Sequence, residues 1–278
     1  MKIALGTVQW GLNYGISNKR GIPSELELDK IFATASANGI NLLDTATSYG
    51  EAESRIGNRS SGKFRIVTKI GSISKDNSVE QQVKKSLENL KTTSLYGCLF
   101  HNVNELLETP SMWGEMQGQK KEGRIEKVGY SLYHTEELER LLQLNFIPDL
   151  IQIPFNLIDQ RFEPYFKQLS EMKIEIHVRS IFLQGLLLNF EMMEQDKFLE
   201  WSPIWKKYKD WLNETNLTPL EACICHAEHH KEITNIILGV EQLSQLKEII
   251  LASKKKSIEA PKAFISTDQK LINPLSWL

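Results

Sequence analysis

The feature that most constrains the fold of this chain is a regular alternation between short apolar runs and longer helical patterns, which lasts almost from end to end. Eight runs have the length and residue types of β-strands: 2–7, 41–44, 65–69, 95–101, 127–130, 150–153, 174–180 and 236–238. Strands that alternate with helices form parallel βα units. Eight such units in 278 residues match the roughly 250 residues that are typical of a (β/α)8 barrel. We therefore predict an α/β fold, a single-domain TIM barrel over residues 1–278.

A doubly wound open sheet is the competing architecture, and the loop after the first run argues against it. Such sheets bind dinucleotides through a G-x-G-x-x-G turn after the first strand. The segment LGTVQWGLNYG lacks that spacing. Two segments depart from the alternation, and we predict an extended βα loop after the seventh strand at 186–217 and a C-terminal tail at 253–278.

The helical pattern at 24–38 carries both a start and a stop signal. Ser24 precedes Glu27 by three residues, which is the spacing of a capping box. Gly39 follows the pattern, and glycine commonly ends a helix. We therefore predict a capped helix over 24–38.

The charge balance and the apolar runs exclude several classes of partner. Lys+Arg 33 against Asp+Glu 35 gives a formal net charge of -2, so we expect neither nucleic acid nor an anionic membrane as partner. No apolar run approaches the roughly 18 to 20 residues of a membrane span, and the N-terminal apolar stretch is too short for a secretory signal. Cys98, Cys223 and Cys225 form an odd and sparse set that fits reduced thiols. We expect a cytoplasmic protein without disulfides.

Four polar residues lie at or just after the ends of three neighbouring predicted strands. Asp44 ends NLLD, Tyr49 follows five residues later in TATSYG, Lys69 ends RIVTK and His101 ends LYGCLFH. Active sites of TIM barrels lie at the C-terminal ends of the strands, and adjacent strands are about 4.8 Å apart. We therefore expect these four side chains to converge on one spot.

The chemistry of this set favours protonation of a substrate oxygen. A free tyrosine has a pKa of about 10, and a nearby ammonium such as Lys69 favours the phenolate. Asp44 would keep that lysine charged and oriented, while a neutral His101 would hydrogen-bond a substrate oxygen. The set offers a proton but no obvious nucleophile, which suggests that a cofactor supplies the attacking group, as in hydride transfer.

At these positions the sequence resembles the aldo-keto reductase superfamily, whose barrels carry an Asp, Tyr, Lys and His tetrad. The resemblance runs from Lys2 to about Leu251 and rests on an ordered set of motifs: LGTVQWG, LLDTATSYG, VTK, GYS and RSIFLQGLL. The opening LGTVQWGLNYGISNKRG is similar to members from bacterial surface-polysaccharide and nucleotide-sugar pathways.

The resemblance implies an NAD(P)H-dependent reductase of aldehydes or ketones, with Tyr49 as general acid. It also implies a set of cofactor-binding residues: Gly6, Thr7, Ser131, Gln152, Arg179, Ser180, Gly239, Glu241 and Gln245. Two positions depart from the family pattern. Leu132 stands where an Asn often contacts the nicotinamide amide, and Arg179 stands where an aromatic often stacks on the ring, so that Arg179 would pack against the ring or the pyrophosphate.

The choice between NADP(H) and NAD(H) depends on the segment after strand eight, where the family usually holds the 2′-phosphate with basic residues. Here Glu241 stands where an Arg or Ser is common in the family, and Gln245 stands where an Arg often sits. A carboxylate repels a phosphate but accepts hydrogen bonds from free ribose hydroxyls. We therefore predict a weakened preference for NADPH, which Lys247 or the tail lysines would offset.

Aromatic residues in the predicted loops are candidate substrate contacts: Trp10, Tyr14, Trp113, Phe182, Trp201 and Trp205. Aromatic faces suit sugar rings, so we expect a small carbonyl substrate such as a sugar or nucleotide-sugar. The alternative is that half of these aromatics pack between loops and helices.

Two other functions are compatible with a barrel. One is a metal-dependent hydrolase or isomerase with Asp44, His101 and His177 as ligands, although a cation beside Lys69 would be repelled. The other is a regulatory barrel that binds a dinucleotide with little turnover. The helical set Cys223/His226/His230 and the pair Cys225/His229 are weak evidence for zinc, and His177 is better explained as part of an interior polar cluster with Glu175 and Arg179. We expect no metal.

Overall fold

The computed structural model describes residues 2–16, 18, 20–60, 62–74 and 77–277. Within them, eight parallel strands close into a barrel in chain order, with the last strand paired to the first. The strands are β1 (Ile3–Gly6), β2 (Leu42–Asp44), β3 (Arg65–Ile70), β4 (Leu95–Phe100), β5 (Ile125–Ser131), β6 (Leu150–Pro154), β7 (Glu175–Arg179) and β8 (Ile233–Gly239). The predicted (β/α)8 TIM barrel is thus confirmed.

Helices fill the connections between the strands. In the described part of the chain the α-helices are α1 (Val8–Gly11), α2 (Glu25–Ala37), α3 (Ala52–Gly57), α4 (Val79–Leu90), α5 (Val103–Glu108), α6 (Ser111–Lys121), α7 (Thr135–Gln143), α8 (Phe166–Glu171), α9 (Phe190–Met193), α10 (Ser202–Thr215), α11 (Pro219–His229), α12 (Leu243–Ala252) and α13 (Gln269–Ile272). Their apolar faces pack on the outer face of the barrel and form the main core.

The barrel interior is apolar in its middle and polar at its C-terminal mouth. A compact cluster of six buried side chains fills the middle: Ala4, Leu42, Val67, Leu99, Leu150 and Ile237. Because side chains alternate along a strand, the residues two positions after Leu42, Val67 and Leu150 also point inward. Those residues are Asp44, Lys69 and Gln152. The strand register therefore sets a polar layer directly above an apolar plug.

The start of α2 differs from the predicted capping box. Ser24 accepts the N–H of Glu27 as expected. The Glu27 carboxylate, however, does not return to Ser24, because it accepts the N–H of Leu243 in α12 instead, at 2.7 Å. The first hydrogen bond of the predicted capping box is therefore present, and the second is wrong. A contact between α2 and α12 takes its place.

The segment predicted as an extended loop is largely helical. Residues 186–217 contain the end of a 3-10 turn, α9, a second 3-10 turn and the fourteen-residue α10. Trp205, Tyr208 and Leu212 recur at helical spacing in α10 and are buried. Their apolar stripe is what makes this segment fold as a helix rather than a loop.

The tail predicted at 253–278 packs against the outer helices. The N–H of Ala260 donates to His226 Nδ1 at 3.2 Å, and the N–H of Ser266 donates to the carbonyl of Ile158 at 3.0 Å. Phe264 packs edge-on against Tyr208. Among the described residues no helix has both the length and the apolarity needed to cross a membrane.

Candidate active site

A large cavity opens at the C-terminal mouth of the barrel. Its volume is about 1020 Å³, at the upper end of the range for small-molecule and cofactor sites. The residues that the resemblance assigned to a cofactor all line it: Gly6, Thr7, Ser131, Gln152, Arg179, Ser180, Gly239, Glu241 and Gln245. Of the tetrad, Asp44, Tyr49 and His101 line it as well, whereas Lys69 is only 1% exposed.

Asp44 and Lys69 form a buried ion pair at the end of β2 and β3. Lys69 Nζ lies 2.7 Å from Asp44 Oδ2 and also donates to the carbonyl of Thr45 at 3.0 Å. The other carboxylate oxygen of Asp44 accepts Gln152 Nε2 at 2.6 Å. Burial opposes the charge on Lys69, but the Asp44 carboxylate, together with Tyr49, outweighs it and raises the pKa of Lys69. The lysine therefore stays an ammonium.

Tyr49 lies above this ion pair. The Lys69 ammonium is 5.2 Å from the centroid of the Tyr49 ring. Burial raises the pKa of Tyr49, and the opposing effect of Lys69 only partly offsets it. Lys69 acts in the expected direction, but burial outweighs it, so the net pKa of Tyr49 lies above its ordinary value. Near pH 7 Tyr49 is therefore a neutral phenol.

His101 completes the converging set. Its ring lies edge-on to Tyr49 with centroids 5.9 Å apart, and Ser48 Oγ is 3.3 Å from its Nδ1. Burial and the nearby Lys69 ammonium lower the pKa of His101 to about 4, so the imidazole is neutral near pH 7. When the Ser48 hydroxyl donates to Nδ1, the ring proton lies on Nε2 and can be donated to an oxygen.

The aromatic residues predicted as substrate contacts divide into two groups. Tyr14 and Phe182 line the cavity. Trp10 is fully buried and donates from Nε1 to the carbonyl of Val240 at 2.8 Å, so the prediction that it contacts a substrate is wrong. The reason is that Trp10 belongs to α1, whose inner face packs on Phe32.

Three other tryptophans lie away from the cavity. Trp113 stacks on Phe146 with centroids 5.5 Å apart, on the outer face of the barrel. Trp201 donates to Asp268 at 3.1 Å, and Trp205 donates to the carbonyl of Phe198. The predicted substrate contacts of these residues are wrong because each ring packs a helix or the tail onto the barrel.

Tyr133, which no motif in the sequence singles out, lies over Arg179. The guanidinium carbon of Arg179 is 4.3 Å from the centroid of the Tyr133 ring, and Arg179 Nη2 donates to the carbonyl of Leu132 at 3.1 Å. Both Arg179 and Tyr133 line the cavity. Leu132, where the family often has Asn, is buried and offers its carbonyl rather than its side chain. Only the position of Tyr133 after Ser131 hinted at this pair.

Residues at the start of α12 form the other end of the cavity. Gln245 Oε1 accepts the N–H groups of Glu241 (2.9 Å) and Gln242 (3.2 Å). Gln245 Nε2 donates to Glu241 Oε1 at 3.2 Å. Glu248, which belongs to no motif of the sequence, also lines the cavity. Gln245 is therefore committed to the helix start and is not a free ligand.

The residues weighed as metal ligands lie in packed surroundings. His226 is fully buried, stacks on Phe155 at 5.2 Å and accepts the tail N–H of Ala260. His177 lies inside the barrel, with Nε2 2.8 Å from Asn235 Nδ2 and 3.5 Å from Glu175. No group of three His, Cys, Asp or Glu side chains in the described ranges is arranged to hold a metal ion.

The fold and the site together define a class: a (β/α)8 barrel with a tyrosine phenol held over a buried lysine–aspartate ion pair at the C-terminal mouth of the barrel. The chain matches the model of the Aldo/keto reductase family over residues 2–263, and it belongs to that family. Members of the family are NAD(P)H-dependent oxidoreductases that act on carbonyl compounds.

Solved structures agree on the fold. A Pseudomonas aeruginosa protein assigned to the aldo-keto reductases is 23% identical, with a TM-score of 0.70 over 91% of this chain and 89% of its own. An aldo-keto reductase from Bacillus halodurans in its holo form is 19% identical, with a TM-score of 0.72 over 92% and 88%. Its apo form is 21% identical, with a TM-score of 0.73 over 95% and 89%. No match was found among curated proteins.

Proposed function

We propose that the protein reduces the carbonyl group of a small aldehyde or ketone to an alcohol, with Tyr49 as the general acid. The observation that supports this proposal is the arrangement of three groups in a row. The Lys69 ammonium lies 5.2 Å from the centroid of the Tyr49 ring, and the Asp44 carboxylate lies 2.7 Å from that ammonium. A permanent positive charge under a neutral phenol stabilises the phenolate that forms when the proton leaves.

The lining of the cavity fits a nicotinamide dinucleotide. Gln152 uses its Nε2 on Asp44, which leaves its Oε1 to accept an amide N–H, and the Ser131 hydroxyl would donate to an amide oxygen. Arg179 is the one lysine or arginine among the described lining residues, and a guanidinium suits either a pyrophosphate or a ring face. When bound, the reduced nicotinamide supplies the hydride.

The chain's own groups act on the oxygen of the substrate. Tyr49 and the neutral His101, whose rings are 5.9 Å apart, would both hydrogen-bond the carbonyl oxygen and orient it. As negative charge develops on that oxygen, Tyr49 transfers its proton, and the Lys69 ammonium stabilises the phenolate left behind. Water then returns a proton to Tyr49 after the alcohol leaves.

The substrate class is argued from the open side of the cavity. Tyr14 and Phe182 offer aromatic faces, and Gln184, whose Nε2 donates to the Tyr14 hydroxyl at 2.8 Å, offers its amide oxygen. This mixture of aromatic and hydrogen-bonding groups suits a polyhydroxy substrate such as a sugar or nucleotide-sugar. The cytoplasmic location stays a prediction.

Steady-state turnover tests this function. Oxidation of NADH and NADPH would be followed with a panel that pairs apolar aldehydes with aldoses and keto-sugars of similar size. Saturable oxidation that depends on the carbonyl compound supports a reductase. Tight nucleotide binding without turnover on any carbonyl would favour the regulatory barrel, and the aldose-to-alkyl ratio of kcat/KM tests the sugar class.

A further inference from the structure

Three backbone N–H groups at the start of α12 already have acceptors. The N–H groups of Glu241 and Gln242 donate to Gln245 Oε1, and the N–H of Leu243 donates to Glu27 Oε1 at 2.7 Å. Helix N-termini bind phosphate groups through such amides. Here a side-chain amide and a carboxylate from α2 already use all three.

This end of the cavity is also acidic. If the nicotinamide lies beside Tyr49, the adenosine of the same dinucleotide lies at the opposite end of the cavity. The charged residues that line that end are Glu221, Glu241 and Glu248. Lys255 lies 3.2 Å from Glu221 and is paired with it. Neither Lys255 nor Lys247 lines the cavity. The counter-charges that a phosphate monoester needs are therefore missing from the described lining at this end.

We propose that Glu27 and Glu241 make this barrel select NADH over NADPH. Glu241 acts at the cavity wall, where it repels a 2′-phosphate and accepts a hydrogen bond from a free ribose hydroxyl. Glu27 does not line the cavity. It acts through α12, because its carboxylate occupies the Leu243 amide and puts a negative charge at the positive end of the helix.

The role of Glu27 explains why half of the capping box is absent. A glutamate at the third helical position ordinarily returns to the start of its own helix. In this chain its carboxylate leaves α2 and accepts the N–H of Leu243, the first residue of α12. The inference rests on the proposed function, since it names the nucleotide that the same site takes.

Dissociation constants of the intact protein test the inference without catalysis. NADH and NADPH would be titrated against tryptophan and nicotinamide fluorescence, and 5′-AMP and adenosine 2′,5′-bisphosphate would compete with NADH at the adenosine end. We expect NADH to bind at least ~10-fold more tightly than NADPH, and AMP to compete better than the bisphosphate. An NADPH Kd equal to or below that of NADH would overturn the inference.

Substitutions that remove one charge at a time distinguish the contributions of Glu27 and Glu241 to nucleotide selection. Glu27→Gln keeps an oxygen for the Leu243 amide, and Glu241→Gln keeps one for Gln245, so both preserve the cap. We expect each to tighten NADPH binding several-fold, and the double variant ~10-fold or more, with a much smaller change for NADH. Glu126→Gln removes the same charge from an exposed position near the N-terminal end of β5 and serves as the control.

The failures are distinguishable. If the wild type prefers NADH but neither variant nor the double variant changes the ratio of the two constants, the assignment to Glu27 and Glu241 is wrong. If Glu126→Gln changes that ratio as much as Glu27→Gln, the effect is one of overall charge, and the assignment is again wrong. If neither nucleotide binds, the proposed function itself fails.

Discussion

Gly11 lies directly against the backbone carbonyl of Tyr49. A β-carbon built on Gly11 would be 1.8 Å from Tyr49 O. One residue further on, Gly50 has φ +56, and a β-carbon there would be 2.5 Å from the Gly11 carbonyl oxygen. Because Gly11 and Gly50 have no side chains, the end of α1 and the Tyr49 loop make direct backbone contact. We infer that this contact positions the Tyr49 phenol relative to Lys69.

Gly11→Ala should displace the Tyr49 loop and reduce turnover more than stability. A shift of about 1 Å in a catalytic group costs on the order of 100-fold in rate, so we expect kcat to fall at least ~30-fold. Gly114→Ala is the matched control, because a β-carbon at Gly114 meets no atom within 4 Å and alanine favours the helix. Equal kcat values for the two variants would contradict the role of the close contact.

Tyr49→Phe should abolish most of the reduction while leaving the nucleotide site intact. The change removes only the hydroxyl, and general acids contribute about 10²- to 10⁴-fold to rate. We expect kcat to fall by at least ~10²-fold with the Kd of the nucleotide changed less than ~3-fold. Retention of more than a tenth of the wild-type kcat would mean that another group, such as His101, delivers the proton.

Lys69→Met should destabilise the fold strongly. It leaves the Asp44 carboxylate buried with Gln152 as its remaining side-chain partner, and breaking a buried pair on one side costs about 3–5 kcal/mol. Urea unfolding at pH 7 measures this loss in the free energy of unfolding. Adding Asp44→Asn removes the stranded charge, so the double variant should recover at least ~1 kcal/mol. A double variant less stable than Lys69→Met would argue against charge burial as the cause.

The rate of reduction should not change near pH 6.5, the pH at which an ordinary histidine titrates. The pKa of His101 is lowered to about 4, so the neutral imidazole persists down to about pH 5. We expect kcat/KM for the carbonyl compound to be flat between pH 5.5 and 8 and to decline only at lower pH, about tenfold per unit for one proton. A tenfold fall in kcat/KM per pH unit that begins near pH 6.5 would show that burial does not lower the pKa of His101.

Buried His226 should make the fold sensitive to mild acid. Its pKa is lowered from 6.5 to about 3, so the unfolded chain binds a proton that the folded protein refuses. Its contribution is fully present above pH 6.5 and is lost as the pH falls from 6.5 towards 3, by up to about 1.4 kcal/mol per pH unit. Between pH 7 and 5, His226→Asn should therefore lose about 2 kcal/mol less than the wild type in urea unfolding.

His134→Asn is the control for that experiment, because His134 is an exposed residue at the start of α7. The His134→Asn variant should lose as much unfolding free energy between pH 7 and 5 as the wild type does. A His226→Asn protein that loses as much stability as the wild type over the same range would assign the acid sensitivity to other groups.

The order of elements and the identity of the tetrad were predictable because both depend on local patterns. Strand ends can be read from apolar runs, and Asp44, Lys69 and Gln152 follow inward-facing residues at a spacing of two. The errors arose where a pattern had two solutions. The apolar residues Trp205, Tyr208 and Leu212 are compatible with a loop or with one face of a helix, and only their burial, with Tyr208 packed against Phe264 of the tail, decides between the two.

The sequence by itself determined the closed barrel and the four residues that converge at its mouth, because periodicity fixes which side chains point inward and strand order fixes which ends are neighbours. The tertiary structure alone decided that Glu27 caps α12 rather than its own helix, that Tyr133 stacks on Arg179 and that burial outweighs Lys69 in setting the pKa of Tyr49. Each of these depends on the distance between segments far apart in the chain and on the water excluded between them, and neither quantity is written in a local pattern.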